Sequence, residues 1–269
     1  YPKAPKPLAY CDDVSVLGAP FYVMDRVQGL IVRSRLPKGF SPSPDQFRQM
    51  STALVDTLVE LHQVDYAAVG LGDLGNPVGY VERQVQGWAK RYQAAQTDEL
   101  ADMDALAAWL PTHMPPQTGA ALIHNDYKYD NVVLNPNQLS EIVAVLDWEM
   151  ATIGDPLMDL GTSLGYWAND DDPMALRQFS ITHLPGNLTR KAVVDRYAEQ
   201  SGRAVPNLVF YYAFGLFKIG VILQQIYARY RKGLTQDARF AALIHLEKAM
   251  ARMGVRAIEL DRIDRLGAA

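Results

Sequence analysis

The sequence contains a single cysteine, Cys11, among its 269 residues. One thiol excludes an internal disulfide and a structural zinc site built from several cysteine thiolates. No N-terminal segment combines basic residues, an apolar core and a small-residue cleavage site, which is the pattern of a signal peptide. We therefore expect a cytoplasmic protein.

The chain also lacks an excess of basic residues and a long uninterrupted apolar run. Its formal net charge of −4 is unlike the basic footprint of nucleic-acid-binding proteins. Its longest apolar stretch, residues 208–230, is interrupted by Lys218, Gln224 and Gln225, whereas a bilayer span needs ~20 mostly apolar residues. We expect this stretch to be a buried core helix in which Lys218 is snorkelling or paired, and we expect neither a nucleic-acid nor a membrane partner.

What the chain does contain is enough apolar material, 49% of its residues, for one large domain or two modest ones. The proline-rich residues 1–10 predict an extended connector, and residues 21–29 predict a strand that leads into a linker. Helical spacing predicts helices from Ser43 to about His62, over residues 76–95, and over residues 98–110 with Asp98 as the N-cap.

Polar side chains are concentrated in "LIHNDYKYDNVVLNP", residues 122–136, which lies between two short strand patterns. A third strand is predicted over Glu141–Trp148. Asp155 caps the next predicted helix, and the remainder of the chain is mostly helical, with a solvated loop at residues 168–173 that contains three aspartates.

Two acids and one amide stand at the edges of this strand-loop-strand unit: Asp126, Asn131 and Asp147. Hard oxygen ligands of this kind suit Mg²⁺, which takes one or two carboxylates and completes its coordination shell with water and substrate phosphates. A site with so few protein ligands implies a phosphate-bearing partner.

The spacing His124-x-Asp126-x4-Asn131, followed by Asp147, resembles the catalytic loop and metal-binding aspartate of the protein-kinase-like fold. With "VLDWEMATIGDPLMDLG", it resembles the aminoglycoside phosphotransferase and choline kinase family, especially the kinase domain associated with acyl-CoA dehydrogenases. The resemblance covers residues 10–231. It implies an α+β protein-kinase-like fold. In this fold residues 1–29 would be the hinge and last strands of an N-terminal lobe, and residues 30–269 would form the helical C-terminal catalytic and substrate-binding lobe.

The resemblance also implies roles for individual residues. Asp126 would orient or deprotonate the acceptor hydroxyl, and Lys128 would neutralise the transferred phosphoryl group. Asn131 and Asp147 would hold Mg²⁺ against the phosphates of ATP.

Three positions resemble the adenine-binding hinge: Met24 would line the pocket, and the backbone of Asp25 and Val27 would pair with adenine. Asp159 resembles the helix aspartate that braces the catalytic loop from beneath. We expect His124 to orient the loop backbone and not to carry protons.

Three parts of this fold's nucleotide site are missing before Met24: the glycine-rich loop, the strand lysine and the helix glutamate that pairs with it. Either they lie upstream of Tyr1, or the protein binds its ligand without transferring a phosphoryl group. The start at Tyr1 instead of Met favours the first interpretation. We then expect the 269-residue chain to be poorly active by itself.

The sequence therefore predicts an ATP- and Mg²⁺-dependent small-molecule kinase whose acceptor is a hydroxyl of a metabolite or aminoglycoside-like compound, with a hydroxyacyl-CoA as one candidate. The alternative is a pseudokinase that binds a nucleotide or metabolite. A metal-dependent hydrolase is disfavoured, because the five histidines form no His-x-His or His-Glu-x-x-His pair.

Overall fold

The computed structural model describes residues 1–267, which form short paired strands and a larger set of helices. This arrangement confirms the predicted α+β class. The strands are β1 (Pro7–Cys11), β2 (Phe21–Met24), β3 (Ala121–Ile123), β4 (Val132–Asn135), β5 (Gln138–Val145) and β6 (Thr152–Gly154). The helices are α1 (Val14–Leu17), α2 (Pro44–His62), α3 (Tyr80–Ala95), α4 (Ala101–Trp109), α5 (Pro156–Gly165), α6 (Met174–Phe179), α7 (Arg190–Ser201), α8 (Leu208–Arg231) and α9 (Leu243–Leu260).

The strands form three antiparallel pairs: β1 with β2, β3 with β6, and β4 with β5. In the pair β4–β5, Val132 lies opposite Val145, so the start of one strand meets the end of the other. The predicted third strand is displaced toward the N-terminus, since β5 ends at Val145. Asp147 consequently lies in the turn that follows the strand.

Helix α2 begins and ends where the sequence predicts. Its first turn is closed by a capping box in which the Ser43 amide donates to Gln46 Oε1 (2.8 Å) and the Gln46 amide donates to Ser43 Oγ (3.3 Å). One face carries buried apolar residues, including Met50, Leu54 and Leu58, and packs against β5 and α7. The helix thus forms one wall of the helical core.

Helix α8 is the core helix that the sequence predicts. Among residues 1–267 it is the one helix long and apolar enough to cross a membrane, but 78% of its most apolar window is buried within the protein. It packs between α5 and α9. A Cβ atom at Gly161 would collide with the Tyr211 carbonyl, and one at Gly215 would collide with the Gly161 carbonyl, so α5 and α8 touch through their backbones.

The predicted cap at Asp98 is wrong. Helix α4 begins at Ala101 after Leu100, and no side chain caps its first turn. Asp98 instead accepts a hydrogen bond from Thr97 Oγ1 (2.8 Å) and lies 3.6 Å from the Arg231 guanidinium. Asp98 thus pairs with a residue distant in sequence instead of capping the helix. A local sequence pattern does not reveal such a pair.

The predicted solvated loop is wrong for Asp172, whose side chain is buried. The guanidinium of Arg190 is equally buried and binds both Asp172 oxygens, with Nη2 to Oδ1 at 2.8 Å, and it also donates to the carbonyl oxygens of Trp167 and Ile263. A buried guanidinium requires a carboxylate partner, so Arg190 draws Asp172 out of solvent.

Asp159, in the first turn of α5, connects the helices to the loop after β3. Its buried Oδ2 accepts from the His124 amide (2.7 Å) and from His62 Nε2 (3.1 Å), and its Oδ1 accepts from the Asn125 amide (2.7 Å). The other ring nitrogen of His62 lies 2.8 Å from the Tyr197 hydroxyl. The predicted bracing role of Asp159 is therefore confirmed.

The groups around the Asp159 carboxylate also determine its pKa. Burial alone would raise the pKa of Asp159, but the hydrogen bond and charge of His62, together with His124, hold it below its usual value. Because the folded-state pKa lies below the unfolded one, the ionised carboxylate stabilises the fold above the unfolded value near 3.8, and this contribution is lost as the pH falls through the folded-state pKa.

We expect Asp159→Asn to lower the free energy of unfolding at pH 7 by about 3–5 kcal/mol, because an amide nitrogen would face N–H donors in a buried site. Urea unfolding measures the loss. Since the variant cannot titrate here, its difference from the wild type should be largest at pH 7 and should narrow below about pH 4.

The matched control is Asp56→Asn, which removes one carboxylate charge from a half-exposed pair with Arg196. This change should cost less than about 1 kcal/mol. Equal losses in the two variants would contradict the role assigned to Asp159.

Candidate active site

The loop between β3 and β4, residues 124–131, is called the catalytic loop below. Its turn is made at Asn125, which has a left-handed backbone with φ of 67°. Asparagine tolerates this conformation better than most residues, and here the side-chain Nδ2 also donates to the Met150 carbonyl (3.0 Å). The turn directs the next residue, Asp126, away from the Asp159 anchor and toward the molecular surface.

The structure brings together three of the predicted site residues. Lys128 Nζ lies 2.7 Å and 2.6 Å from the two carboxylate oxygens of Asp126. Asn131 Nδ2 donates to Asp126 Oδ2 (2.8 Å) and to its carbonyl oxygen (2.9 Å). The Asp126 side chain is 16% exposed, so the carboxylate is reachable from solvent.

The contacts of Asn131 leave its oxygen for another partner. Because Nδ2 points at Asp126, Oδ1 must point away from it, and no described donor binds this oxygen. Asp147 is exposed, and its carboxylate likewise has no hydrogen bond within residues 1–267. The amide oxygen of Asn131 and the carboxylate of Asp147 therefore accept no hydrogen bond from the described residues. Oxygen ligands of these two kinds fit Mg²⁺.

Asp147 is held beside the catalytic loop by the backbone of its neighbour. The Leu146 amide donates to the Asn131 carbonyl (2.8 Å), and His124 Nε2 donates to the Leu146 carbonyl (2.8 Å). The other ring nitrogen of His124 accepts from the Asp126 amide at 3.3 Å. This geometry confirms that His124 orients the loop backbone, and Asp147 then follows with a left-handed φ of 67°.

Tyr166, at the end of α5, is a site residue that sequence reasoning missed. Its ring lies 4.5 Å from Lys128 Nζ, so the ammonium is placed between an aromatic face and the Asp126 carboxylate. Burial, followed by the charge of Asp126, raises the pKa of Tyr166 well above its usual value. The phenol is therefore neutral, and no motif in the sequence distinguishes it from the other tyrosines.

The predicted hinge follows β2. Met24 is 42% exposed, and the Asp25 amide donates to the Lys6 carbonyl (2.9 Å). Among residues 1–267, the Asp25 carbonyl and the Val27 amide have no hydrogen-bond partner. Leu30 then pairs with Leu134 in both directions at 2.8 Å, which places the segment after the hinge against β4, the strand that follows Asn131.

A cavity of about 110 Å³ lies next to Lys128, Asp130 and Tyr166. Its walls are mostly apolar and come from α2, α5, α7, the end of α6 and the segment that follows it; they include Leu54, Leu58, Leu160, Trp167, Phe179 and Ile181. Trp167 is thus both part of the core and part of the cavity wall. The hydroxyl of Ser163, which also lines the cavity, is buried without a hydrogen-bond partner.

Comparison with known proteins identifies the family. A model of the phosphotransferase enzyme family (APH) matches residues 2–194. Acyl-CoA dehydrogenase family member 11 of Rattus norvegicus is 38% identical over 233 residues, which are 85% of this chain and 30% of that protein. Acyl-CoA dehydrogenase family member 10 of Mus musculus is 35% identical over 253 residues, 93% of this chain and 23% of that protein. The chain thus spans less than a third of these two curated relatives.

Solved structures agree. A Ralstonia eutropha protein described as a candidate aminoglycoside phosphotransferase superposes with a TM-score of 0.83 and 31% identity, covering 96% of this chain and 79% of its own. The choline kinase of Cryptosporidium parvum superposes with a TM-score of 0.60 over 96% of this chain and 75% of its own; at 11% identity it shows a shared fold only. The protein-kinase-like fold is confirmed, and the chain belongs to the APH phosphotransferase enzyme family.

Proposed function

We propose that this protein is an ATP- and Mg²⁺-dependent kinase that transfers the γ-phosphoryl group to a hydroxyl of a small molecule. One observation carries the proposal: Asn131 Nδ2 binds Asp126, so that the candidate base and a candidate metal ligand form one hydrogen-bonded unit. Asp147 is tied to the same unit through the Leu146 amide.

Phosphoryl transfer through a loose transition state depends mainly on positioning and charge neutralisation. In this proposal Asp126 accepts a hydrogen bond from the acceptor hydroxyl and orients its oxygen for in-line attack. Lys128 already neutralises Asp126, and its ammonium can swing from that carboxylate to the transferred group as negative charge arrives. When bound, Mg²⁺ held by Asn131 and Asp147 supplies charge stabilisation to the phosphates.

For the nucleotide, we propose that adenine meets the Asp25 carbonyl and the Val27 amide, with Met24 against the ring. The support is that both backbone groups have no hydrogen-bond partner among residues 1–267. In this assignment residues 1–29 carry the hinge, and the remaining chain carries the catalytic and acceptor-binding groups.

For the acceptor, the cavity beside Lys128 favours a molecule with an apolar portion. Leu54, Trp167 and Phe179 suit an apolar portion of the acceptor, and the lining also carries charged groups of both signs, Arg33 and Asp130. The two curated relatives described above are acyl-CoA dehydrogenase family members. We therefore place a hydroxyacyl-CoA first among the candidate acceptors.

The second candidate is a pseudokinase that binds nucleotide or metabolite without transfer. It is favoured by the Lys128 ammonium, which occupies both oxygens of Asp126. The two candidates differ in whether phosphate reaches the acceptor, and the first prediction below separates them. Assays use the full-length protein, because the chain spans less than a third of the two curated relatives described above.

Asp126→Asn should lower kcat about 10²- to 10⁴-fold while leaving nucleotide affinity largely intact, because the amide cannot accept a proton but keeps the shape of the side chain. Steady-state kinetics and nucleotide titration measure the two effects. The matched control is Asp195→Asn, an exposed acid paired with Lys191 on α7, which should behave as wild type. Full activity in the Asp126 variant would refute the catalytic role assigned to Asp126.

Asp147→Ala should weaken Mg²⁺-dependent ATP binding at least about 10-fold, because it removes a carboxylate ligand of the proposed ion. Calorimetric titration with and without Mg²⁺ measures the change. Glu141→Ala removes an exposed carboxylate from β5 and should leave binding unchanged. If Asp147→Ala binds ATP with the same Mg²⁺ dependence as the wild type, Asp147 is not a metal ligand.

A further inference from the structure

Lys218 is a charged side chain in the middle of the core helix α8, and only 1% of it is exposed. It is not snorkelling. Its Nζ donates to the carbonyl oxygen of Asn125 (2.7 Å) and lies 3.3 Å from Asn125 Oδ1. The ammonium also lies 5.7 Å from the centre of the Trp88 ring on α3. Burying a cation costs free energy unless the cation is paired. Packing alone therefore does not explain why Lys218 is buried against Asn125.

Asn125 is held from both sides by opposite charges. On one side the Asp159 carboxylate accepts its backbone N–H, and on the other the Lys218 ammonium donates to its backbone carbonyl. The Tyr80 hydroxyl donates to its side-chain oxygen (3.1 Å). Charge-assisted hydrogen bonds are stronger than neutral ones, and here they fix the left-handed residue that immediately precedes Asp126.

We propose that Lys218 is a positioning residue for phosphoryl transfer: its buried ammonium fixes the Asn125 carbonyl and thereby the direction of the Asp126 carboxylate. The expected effect of Lys218 on the rate of transfer rests on the proposed kinase function. The positioning of the Asn125 carbonyl by Lys218 does not. No local sequence pattern connects the two residues, which are 93 positions apart.

The groups that face Lys218 also determine when it is charged. Burial lowers its pKa to about 8, while the carboxylates of Asp159 on α5 and Asp126 on the catalytic loop favour the charged form, and Lys128 and Arg91 oppose it. The ammonium is therefore present below about pH 8 and is lost as the pH rises through that value. A neutral amine would hold the Asn125 carbonyl more weakly.

The test compares Lys218→Met, Lys218→Arg and the wild type in the intact protein. Lys218→Met should lower kcat about 10- to 100-fold, the scale of a displaced catalytic group, with little change in the KM for ATP. Lys218→Arg keeps the charge and should recover part of kcat. Wild-type kcat should fall as the pH rises through about 8, and this fall should be absent in both variants.

The matched control is Gln224→Met, which removes another fully buried polar side chain from α8. Gln224 binds Ala95 and Thr97 and does not touch the catalytic loop. Hydrogen exchange gives a readout that needs no activity: amides of residues 124–131 should exchange faster in Lys218→Met than in Gln224→Met.

The outcomes separate the two claims. Absence of transfer in the wild type would overturn the proposed function, and hydrogen exchange would still decide the role of Lys218. Wild-type kcat in Lys218→Met, an unchanged alkaline fall in Lys218→Arg, or unaltered exchange in residues 124–131 would each overturn the positioning role while leaving the proposed function standing.

Discussion

The catalytic loop depends on the buried carboxylate of Asp159, which accepts the backbone amides of His124 and Asn125. Without that acceptor, two amides of a buried turn would have no partner, and the left-handed backbone at Asn125 would lose its support. Asp159 lies on α5, and the close contact of α5 with α8 through Gly161 and Gly215 sets the position of its carboxylate relative to the loop. Geometry at the site is therefore set by helix packing and not by the loop sequence alone.

The charged and polar groups of the candidate site contact one another directly. Lys128 lies between the Asp126 carboxylate and the ring of Tyr166, and Asn131 turns its nitrogen to Asp126 and its oxygen outward. Asn131 thus has its nitrogen engaged by the protein and its oxygen left for a ligand. Such an arrangement neutralises charge before the ligand arrives, which suits a reaction governed by positioning.

Local patterns in the sequence predicted a large part of this structure. The helical spacing of residues 43–62 and the spacing of Asp126 and Asn131 predicted the helix and the loop, because both are decided by residues within a few positions of each other. Asp98 and Asp172 were mispredicted because their partners, Arg231 and Arg190, are distant in sequence. Tyr166 and Lys218 were missed as site residues for the same reason: they reach the loop only through the packing of α5 and α8.

Transfer of the γ-phosphoryl group of ATP to an acceptor is the most direct test of the proposed kinase function. The intact protein, incubated with ATP and Mg²⁺, is screened by mass spectrometry against hydroxyacyl-CoAs, aminoglycosides and amino alcohols. We expect an acceptor with an apolar portion to gain one phosphoryl group, and we expect this gain to disappear in Asp126→Asn. A phosphorylated product that forms equally well in the wild type and in that variant would contradict the proposed mechanism.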